Sequence, residues 1–173
     1  RSSYIATAEQ RFRERLRQAG KPSPPSEVMS RFDHALQIIT SNNYCVKCHV
    51  VGDPEKGGYQ PKGPDRAKAP NLAQVFQRLR PEYVRRWIAN PKQILPYTSM
   101  PVNIPFDPAA PHQGGVAQEL FPGTSIEQVD ALVDLLMNYD MYSENRSPIS
   151  PSIEPATPTA ARPEEENVVS AVE

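Results

Sequence analysis

The stretch NYCVKCHVVG, residues 43–52, contains both cysteines of the chain. Cys45 and Cys48 are separated by two residues, and His49 follows directly. Cysteines at this spacing form a redox-active disulfide, half of a structural zinc site, or the attachment point of a c-type haem. The sequence on either side of the motif is therefore needed to choose among the three chemistries.

The pattern of apolar residues around the motif predicts an all-α protein. Ser26 is a candidate N-cap for the helix that leads into the cysteines, and Pro81 suits the first turn of a later helix. Thr124 and Glu127 match a capping box at the start of the last helix. No segment has a convincing strand pattern. Helical patterns cover residues 27–41, 71–79, 81–90 and 125–141.

Composition divides the chain into a compact domain and two extensions. Hydrophobic residues make up 38% of the 173 residues, which is below the usual globular share of about 45–50%. We expect a polar extension or linker at 1–25, a folded domain at 26–142, and a Pro/Ser/Glu-rich extended or disordered tail at 143–173. Within the domain, residues 91–122 contain seven prolines and are predicted to be irregular.

The N-terminal extension has the pattern of a polar helix over residues 1–20. Ile5, Phe12 and Leu16 form an apolar stripe that is too narrow for a core of its own. Two interpretations stay open, a solvated helix or linker and a segment that docks on a partner. The chain begins at Arg1, so we expect a processed chain or a fragment that could have lost an anchor or a further domain upstream.

Charge and hydropathy exclude some functions. The formal net charge of −1 gives no reason to expect nucleic acid as a partner. Charge is nevertheless uneven, with six basic and two acidic residues in 1–21 and six acidic and two basic residues in 143–173. The longest apolar run, ALVDLLM, contains Asp134 and is much shorter than the ~20 residues of a membrane-spanning helix.

The surroundings of the cysteine motif disfavour two of its three chemistries. A thioredoxin-type motif sits at a strand-to-helix junction of an α/β fold, whereas this motif follows a predicted helix. A structural zinc site needs four ligands, and with His34 and His112 the spacing matches no common zinc finger. In c-type attachment the two thiols bond to the haem vinyl groups and His49 ligates the iron.

A six-coordinate haem iron also needs a second axial ligand, usually Met or His. Met100 lies in the proline-rich segment ILPYTSMPVNIP, where Pro96 and Pro101 restrict the backbone. His112 is a rival in a loop that matches no ligand pattern, and His34 is predicted not to be a ligand. The other methionines lie on or beside predicted helices and suit packing: Met29, Met137 and Met141.

Residues 27–141 resemble the class I cytochromes c, the monohaem family. The resemblance is carried by CVKCH at 45–49, APNL at 69–72, RRWIANP at 85–91, YTSMP at 97–101, and the pairing of the first and last helices. It implies a small domain of about four helices with long loops around one covalently attached haem. The first helix lacks the glycine that the family often has where these helices cross, and the loop after Met100 is longer than usual.

The resemblance also implies roles for individual residues. Cys45 and Cys48 would hold the haem covalently, and His49 and Met100 would be the axial ligands of its iron. The remaining implied roles concern the pocket. In these, the carbonyl of Pro70 accepts a hydrogen bond from His49, Trp87 packs near the haem, and Thr98 bonds a haem propionate.

The function that the resemblance implies is one-electron transfer by a carrier that is not itself an enzyme. Donor and acceptor proteins would meet the exposed haem edge, and the terminal extensions would contact other subunits of a membrane-associated electron-transport complex. Covalent haem attachment implies an extracytoplasmic, periplasmic or equivalent location. One alternative is a haem enzyme or a gas or peroxide sensor with an open sixth position. Another is a Cys-x-x-Cys metal or redox module without haem.

Overall fold

The structure, a computed structural model, describes residues 2–18, 29–61, 69–110, 115–116 and 118–145. These residues form helices and loops without a β-strand, so the all-α prediction is confirmed. None of their helices is long and apolar enough to cross a membrane. The helices are α1 (Ser2–Gln18), α2 (Arg31–Thr40), α3 (Val75–Arg78), α4 (Pro81–Ala89), α5 (Pro91–Ile94), α6 (Ser125–Met137) and α7 (Tyr139–Asn145). Three short 3₁₀ turns span Cys45–Lys47, Pro54–Lys56 and Leu72–Gln74.

Capping residues determine where the two principal helices begin. The Ser30 hydroxyl accepts the Asp33 N–H at 3.1 Å, and the Asp33 carboxylate accepts the Ser30 N–H at 3.2 Å. This capping box starts α2 at Arg31, later than predicted, while the candidate cap Ser26 lies outside the described residues. The predicted capping box of Thr124 and Glu127 is confirmed at the start of α6.

The predicted helix over 125–141 is two helices, α6 and α7, and Asn138 lies between them. Its side-chain Nδ2 donates to the Asp134 carbonyl at 2.7 Å, taking the acceptor that the next helical N–H would use. Its own N–H donates to the Leu135 carbonyl instead, at 3.1 Å. The prediction was wrong here because apolar periodicity continues across the break.

Other boundaries differ in smaller ways. Residues 71–79 begin as a 3₁₀ turn and continue as α3, and Pro81 is the first residue of α4 as predicted. The proline-rich stretch 91–122 was predicted to be irregular, yet its first residues form α5, which Asn90 caps through an Oδ1 that accepts the Gln93 N–H. Helix α7 continues past Ser143 into the predicted tail, and residues 146–173 lie outside the described part.

The core lies between α6 and the two helices that pack against it, α2 and α4. Arg31 in α2 forms an ion pair of 2.7 Å with Asp134 in α6, and both side chains are largely buried. On the other side, Arg85 in α4 donates to Asp130 in α6 at 2.7 Å. The helices also contribute fully buried side chains, including Ala35, Ile38, Ile39, Ala131, Leu132 and Leu135.

Helix α1 packs on this domain through the stripe that contains Phe12. The Phe12 side chain is only 2% exposed, and its ring centroid lies 5.8 Å from that of His34 and 5.4 Å from that of Phe121. The Glu9 carboxylate accepts the N–H of Arg31 at 2.8 Å, at the start of α2. The apolar stripe of α1 is too narrow to form a core of its own. It packs instead against the rest of the domain, at His34 and Phe121.

Candidate functional site

The cysteine motif forms a 3₁₀ turn directly after α2. The carbonyl of Cys45 accepts the N–H of Cys48 at 3.1 Å and the N–H of His49 at 2.9 Å. Val46 is 2% exposed and fixes the turn to the core, whereas Lys47 is exposed. The residues that carry both thiols and the imidazole are thus held in one short turn, because the Cys45 carbonyl accepts the backbone N–H of both Cys48 and His49.

Both cysteines are free thiols on partly exposed residues. Burial among protein atoms and, to a smaller extent, the neighbouring Cys48 together raise the pKa of the Cys45 thiol to about 12. A thiol with a raised pKa is a poor nucleophile, since the thiolate is the attacking species. Cys45 therefore lacks the depressed pKa that characterises the reactive thiol of a Cys-x-x-Cys dithiol.

The imidazole of His49 has a defined orientation. Its Nδ1 lies 2.7 Å from the carbonyl oxygen of Pro70. Because a carbonyl only accepts hydrogen bonds, Nδ1 is the protonated nitrogen, and the lone pair is on Nε2. Burial lowers the pKa of His49, and the bond to Pro70 opposes this in part, so the ring is held in the neutral form that binds metals.

Two chain segments form this side of the site, residues 49–52 and 69–72. His49 and Ala69 form a parallel β-bridge, and the Leu72 N–H donates to the Val50 carbonyl at 2.8 Å. On the same segment, Val51 forms a separate antiparallel bridge with Tyr59. The Pro70 carbonyl is thus presented to His49 by paired backbone and not by an isolated loop.

Met100 and Thr98 share a turn after α5. The Thr98 N–H donates to the Leu95 carbonyl at 3.0 Å, and the Met100 N–H donates to the Thr98 hydroxyl at 3.2 Å. Both residues are half-buried. The Thr98 oxygen is an acceptor in this turn, so its hydroxyl hydrogen remains a donor for a carboxylate. The thioether is thus carried by a short stretch whose bonds are local.

Trp87 lies on α4 and is half-buried. Its ring stacks on Tyr83, one helical turn earlier, with centroids 5.9 Å apart and planes inclined by 17°. Tyr83 is 41% exposed, so this stack lies at the protein surface and continues inward through Trp87. Stacked i, i+4 side chains stiffen the helix and restrict the rotamer of the tryptophan.

The rival ligands occupy other environments. His34 Nδ1 lies 2.8 Å from the Leu120 carbonyl, and its ring packs against Phe12 and Phe121. Met137 is 7% exposed in the core, and Met29 is bonded through sulfur by Gln37. His112 lies outside the described residues. In the described ranges, no group of three or more His, Cys, Asp or Glu side chains is arranged to hold a metal ion.

Asn71 is the residue of this site that sequence reasoning missed. It follows Pro70 and caps the turn Leu72–Gln74, with its Oδ1 accepting the Ala73 N–H at 3.0 Å. The signal was available, because an asparagine before a helical pattern is a good N-cap. Its second set of contacts, to Gly52, was not predictable because it joins segments far apart in sequence.

No family model matches the chain, and neither a curated protein nor a solved structure matches it. The donor set must therefore be judged by its chemistry. Two free thiols and a neutral imidazole with its Nε2 lone pair lie on one turn, and a thioether lies on a separate loop. Covalent haem attachment would use two thiols, an imidazole lone pair and a second axial ligand, and these residues could supply all of them.

Proposed function

We propose that the chain is a one-electron carrier built as a class I cytochrome c domain. Cys45 and Cys48 would hold one haem through thioether bonds, and His49 and Met100 would ligate the iron. The observation that carries the proposal is the 2.7 Å contact of His49 Nδ1 with the Pro70 carbonyl. This contact leaves Nε2 as the ligating nitrogen and increases its basicity.

A haem with two protein ligands supplies a reversible ferrous–ferric couple. The chain contributes the environment of that couple. His49 is held in one tautomer by Pro70, Thr98 retains a hydroxyl donor for a propionate, and Trp87 supplies a half-buried aromatic face. Thioether ligation favours the reduced state relative to a second imidazole, so the proposal includes a raised potential.

The partners follow from this assignment. Both axial positions would be filled by side chains, so electrons would pass across the protein surface without a substrate at the iron. Electron-transfer encounters use small and transient interfaces, and the net charge of −1 provides little long-range steering. We place the carrier outside the cytoplasm, as a subunit or domain of a membrane-associated electron-transport complex.

Two measurements test the cofactor and the ligand separately. The intact mass of the purified protein should include one covalently bound haem, and Cys45→Ala with Cys48→Ala should remove it. The ferric protein should show the weak near-infrared band of thioether ligation, which Met100→Ala should abolish. Met141→Ala is the matched control, because Met141 is 42% exposed and lies on α7. A band that survives Met100→Ala would refute the assignment of Met100.

The second candidate is a haem enzyme or a gas or peroxide sensor with an open sixth position. The observation that favours it is the local bonding of the Met100 turn, because such a turn could move away from the iron without disturbing His49. Rapid binding of carbon monoxide by the unmodified ferrous protein would support this candidate. Slow or absent binding would support the carrier.

A further inference from the structure

The side chain of Asn71 joins the two segments that meet at the His49–Pro70 contact. Its Nδ2 donates to the Gly52 carbonyl at 2.7 Å, and its Oδ1 accepts the Gly52 N–H at 3.2 Å. The same Oδ1 accepts the N–H of Ala73 at 3.0 Å. One amide therefore satisfies three backbone groups, and two of them belong to the segment that follows the cysteine motif.

This arrangement adds to sparse backbone pairing. His49 and Ala69 form a single isolated parallel bridge, and the Leu72 N–H donates to the Val50 carbonyl at 2.8 Å. The two bonds of the Asn71 side chain to Gly52 extend this pairing by side-chain contacts on the far side of Pro70. The orientation of the amide is unambiguous, since the Gly52 carbonyl requires the NH₂ group and the Gly52 N–H requires the oxygen.

Gly52 is suited to this contact. Its φ is +82°, a conformation that favours glycine, and a Cβ there would meet Gly58 and the Tyr139 hydroxyl, each at 3.5 Å. The left-handed turn presents both polar groups of Gly52 to the Asn71 amide. The amide thus binds the far end of the segment that begins at His49.

We infer that Asn71 is a positioning residue for the axial imidazole, acting through the Pro70 carbonyl. It fixes the segment that carries the acceptor against the segment that carries the donor, and so determines the strength of the His49–Pro70 hydrogen bond. That bond sets the basicity of Nε2 and is therefore a means of setting the redox potential. The inference rests on the proposed function, since it concerns the ligand of the proposed haem.

Asn71→Ser is the principal test. A serine hydroxyl is a good cap for the turn Leu72–Gln74, but it is too short to bond Gly52 on both sides. Asn90→Ser is the matched control, because Asn90 also caps a helix through Oδ1, which accepts the Gln93 N–H at 3.3 Å, and the substitution is chemically the same. Both variants are neutral exchanges, so neither changes the charge near the site.

Two properties of the haem-loaded protein are measured. Solvent exchange of the His49 Nδ1 proton in the reduced protein should become about tenfold faster in Asn71→Ser, which corresponds to the loss of one hydrogen bond. The midpoint potential should rise, because a weaker bond to Pro70 makes Nε2 a poorer donor to the ferric state. Asn90→Ser should leave both properties unchanged even if it lowers stability by the same amount.

The outcomes separate the inference from the function on which it rests. Wild-type protein without covalent haem refutes the proposed function. Haem-loaded Asn71→Ser with unchanged proton exchange and unchanged potential overturns the positioning role and leaves the function standing. If Asn71→Ser does not accumulate with haem, Asn71→Asp replaces it: the carboxylate keeps the acceptor and sets an oxygen that cannot donate against the Gly52 carbonyl. Because it also adds a negative charge, only proton exchange and not the potential is compared in that variant. Unchanged proton exchange in that variant also overturns the positioning role.

Discussion

The two proposed axial ligands lie in regions that are built differently. His49 belongs to a segment that is paired with 69–72 by a β-bridge, by backbone bonding and by the Asn71 amide. Met100 belongs to a loop in which the hydrogen bonds join near neighbours such as Thr98 and Leu95. The first region is held by contacts between distant segments, and the second by contacts within itself.

The loop that follows α5 and carries Met100 is held to the core by buried side chains that come later in the chain than Met100. Ile104 is 2% exposed and Phe121 is fully buried, whereas Tyr97 is 83% exposed and Phe106 is 53% exposed. Buried side chains thus fix the later part of the segment and leave the part around the thioether accessible. One proposed ligand is therefore positioned by contacts between distant segments, while the other is carried by a stretch that has freedom to adjust.

The largest expected effect distinguishes the two ligands directly. His49→Ala should reduce the yield of haem-loaded protein by about tenfold or more, since it removes the metal ligand itself and its bond to Pro70. Met100→Ala should leave the yield within about twofold, because a thioether is a weak ligand and its loop makes few contacts with the rest of the site. Haem absorbance per mole of purified chain measures both. Equal losses would contradict the comparison.

The next largest effect is on stability, at the contact between α1 and Phe121, which follows the Met100 loop in the chain. Phe12→Ala should lower the free energy of unfolding by about 3–5 kcal/mol, because it removes a buried ring that contacts both His34 and Phe121. Tyr4→Ala is the control on the same helix, as Tyr4 is 60% exposed and should cost less than about 0.5 kcal/mol. Urea unfolding measures the difference. Similar values for the two variants would show that α1 is not packed as described.

The side-chain amide of Gln128 in α6 is a second buried contact, after Phe12, that holds the chain near Phe121 in place. Gln128 is fully buried, and it accepts the Val116 N–H at 2.8 Å and donates to the carbonyls of Val116 and Phe121, each at 3.2 Å. Gln128→Ala should cost about 3 kcal/mol, because it leaves buried backbone groups without partners. Gln118→Ala should cost about 1 kcal/mol, since this partly buried amide donates to the Gly123 carbonyl at 2.9 Å. Equal costs in urea unfolding would contradict an anchor at Gln128.

The sequence predicted local features of the fold better than distant contacts. Pro81 and the Thr124 capping box marked helix starts correctly, because caps depend on residues within one turn. The break at Asn138 was missed, since apolar periodicity is unaffected by a side chain that competes for one carbonyl. Phe12 was recognised as part of a stripe, but the surface it covers is formed by residues more than twenty positions away.

The same distinction applies to the candidate site. The thiols and His49 were predictable because they are adjacent in the chain. The contact of His49 with Pro70 was expected only through a family resemblance, and the structure contains it at 2.7 Å. The two contacts of Asn71 with Gly52 were not predictable from either source. They depend on a left-handed backbone at Gly52 and on the register of two segments, which a single sequence does not encode locally.

The smallest expected effect lies in the exposed centre of the Met100 segment. Tyr97→Ser should change the free energy of unfolding by less than about 0.5 kcal/mol, because a side chain that is 83% exposed buries little apolar area. Phe106→Ser should cost about 1 kcal/mol, since that ring is 53% exposed. Ile104→Ala, in the same stretch but 2% exposed, should cost about 2–4 kcal/mol. Urea unfolding of the three variants separates a loop that is anchored at its buried residues from one that is packed throughout. If Tyr97→Ser costs as much as Ile104→Ala, the aromatic ring is covered in solution. The Met100 region would then be as constrained as the His49 region, and the contrast between the two ligands would fail.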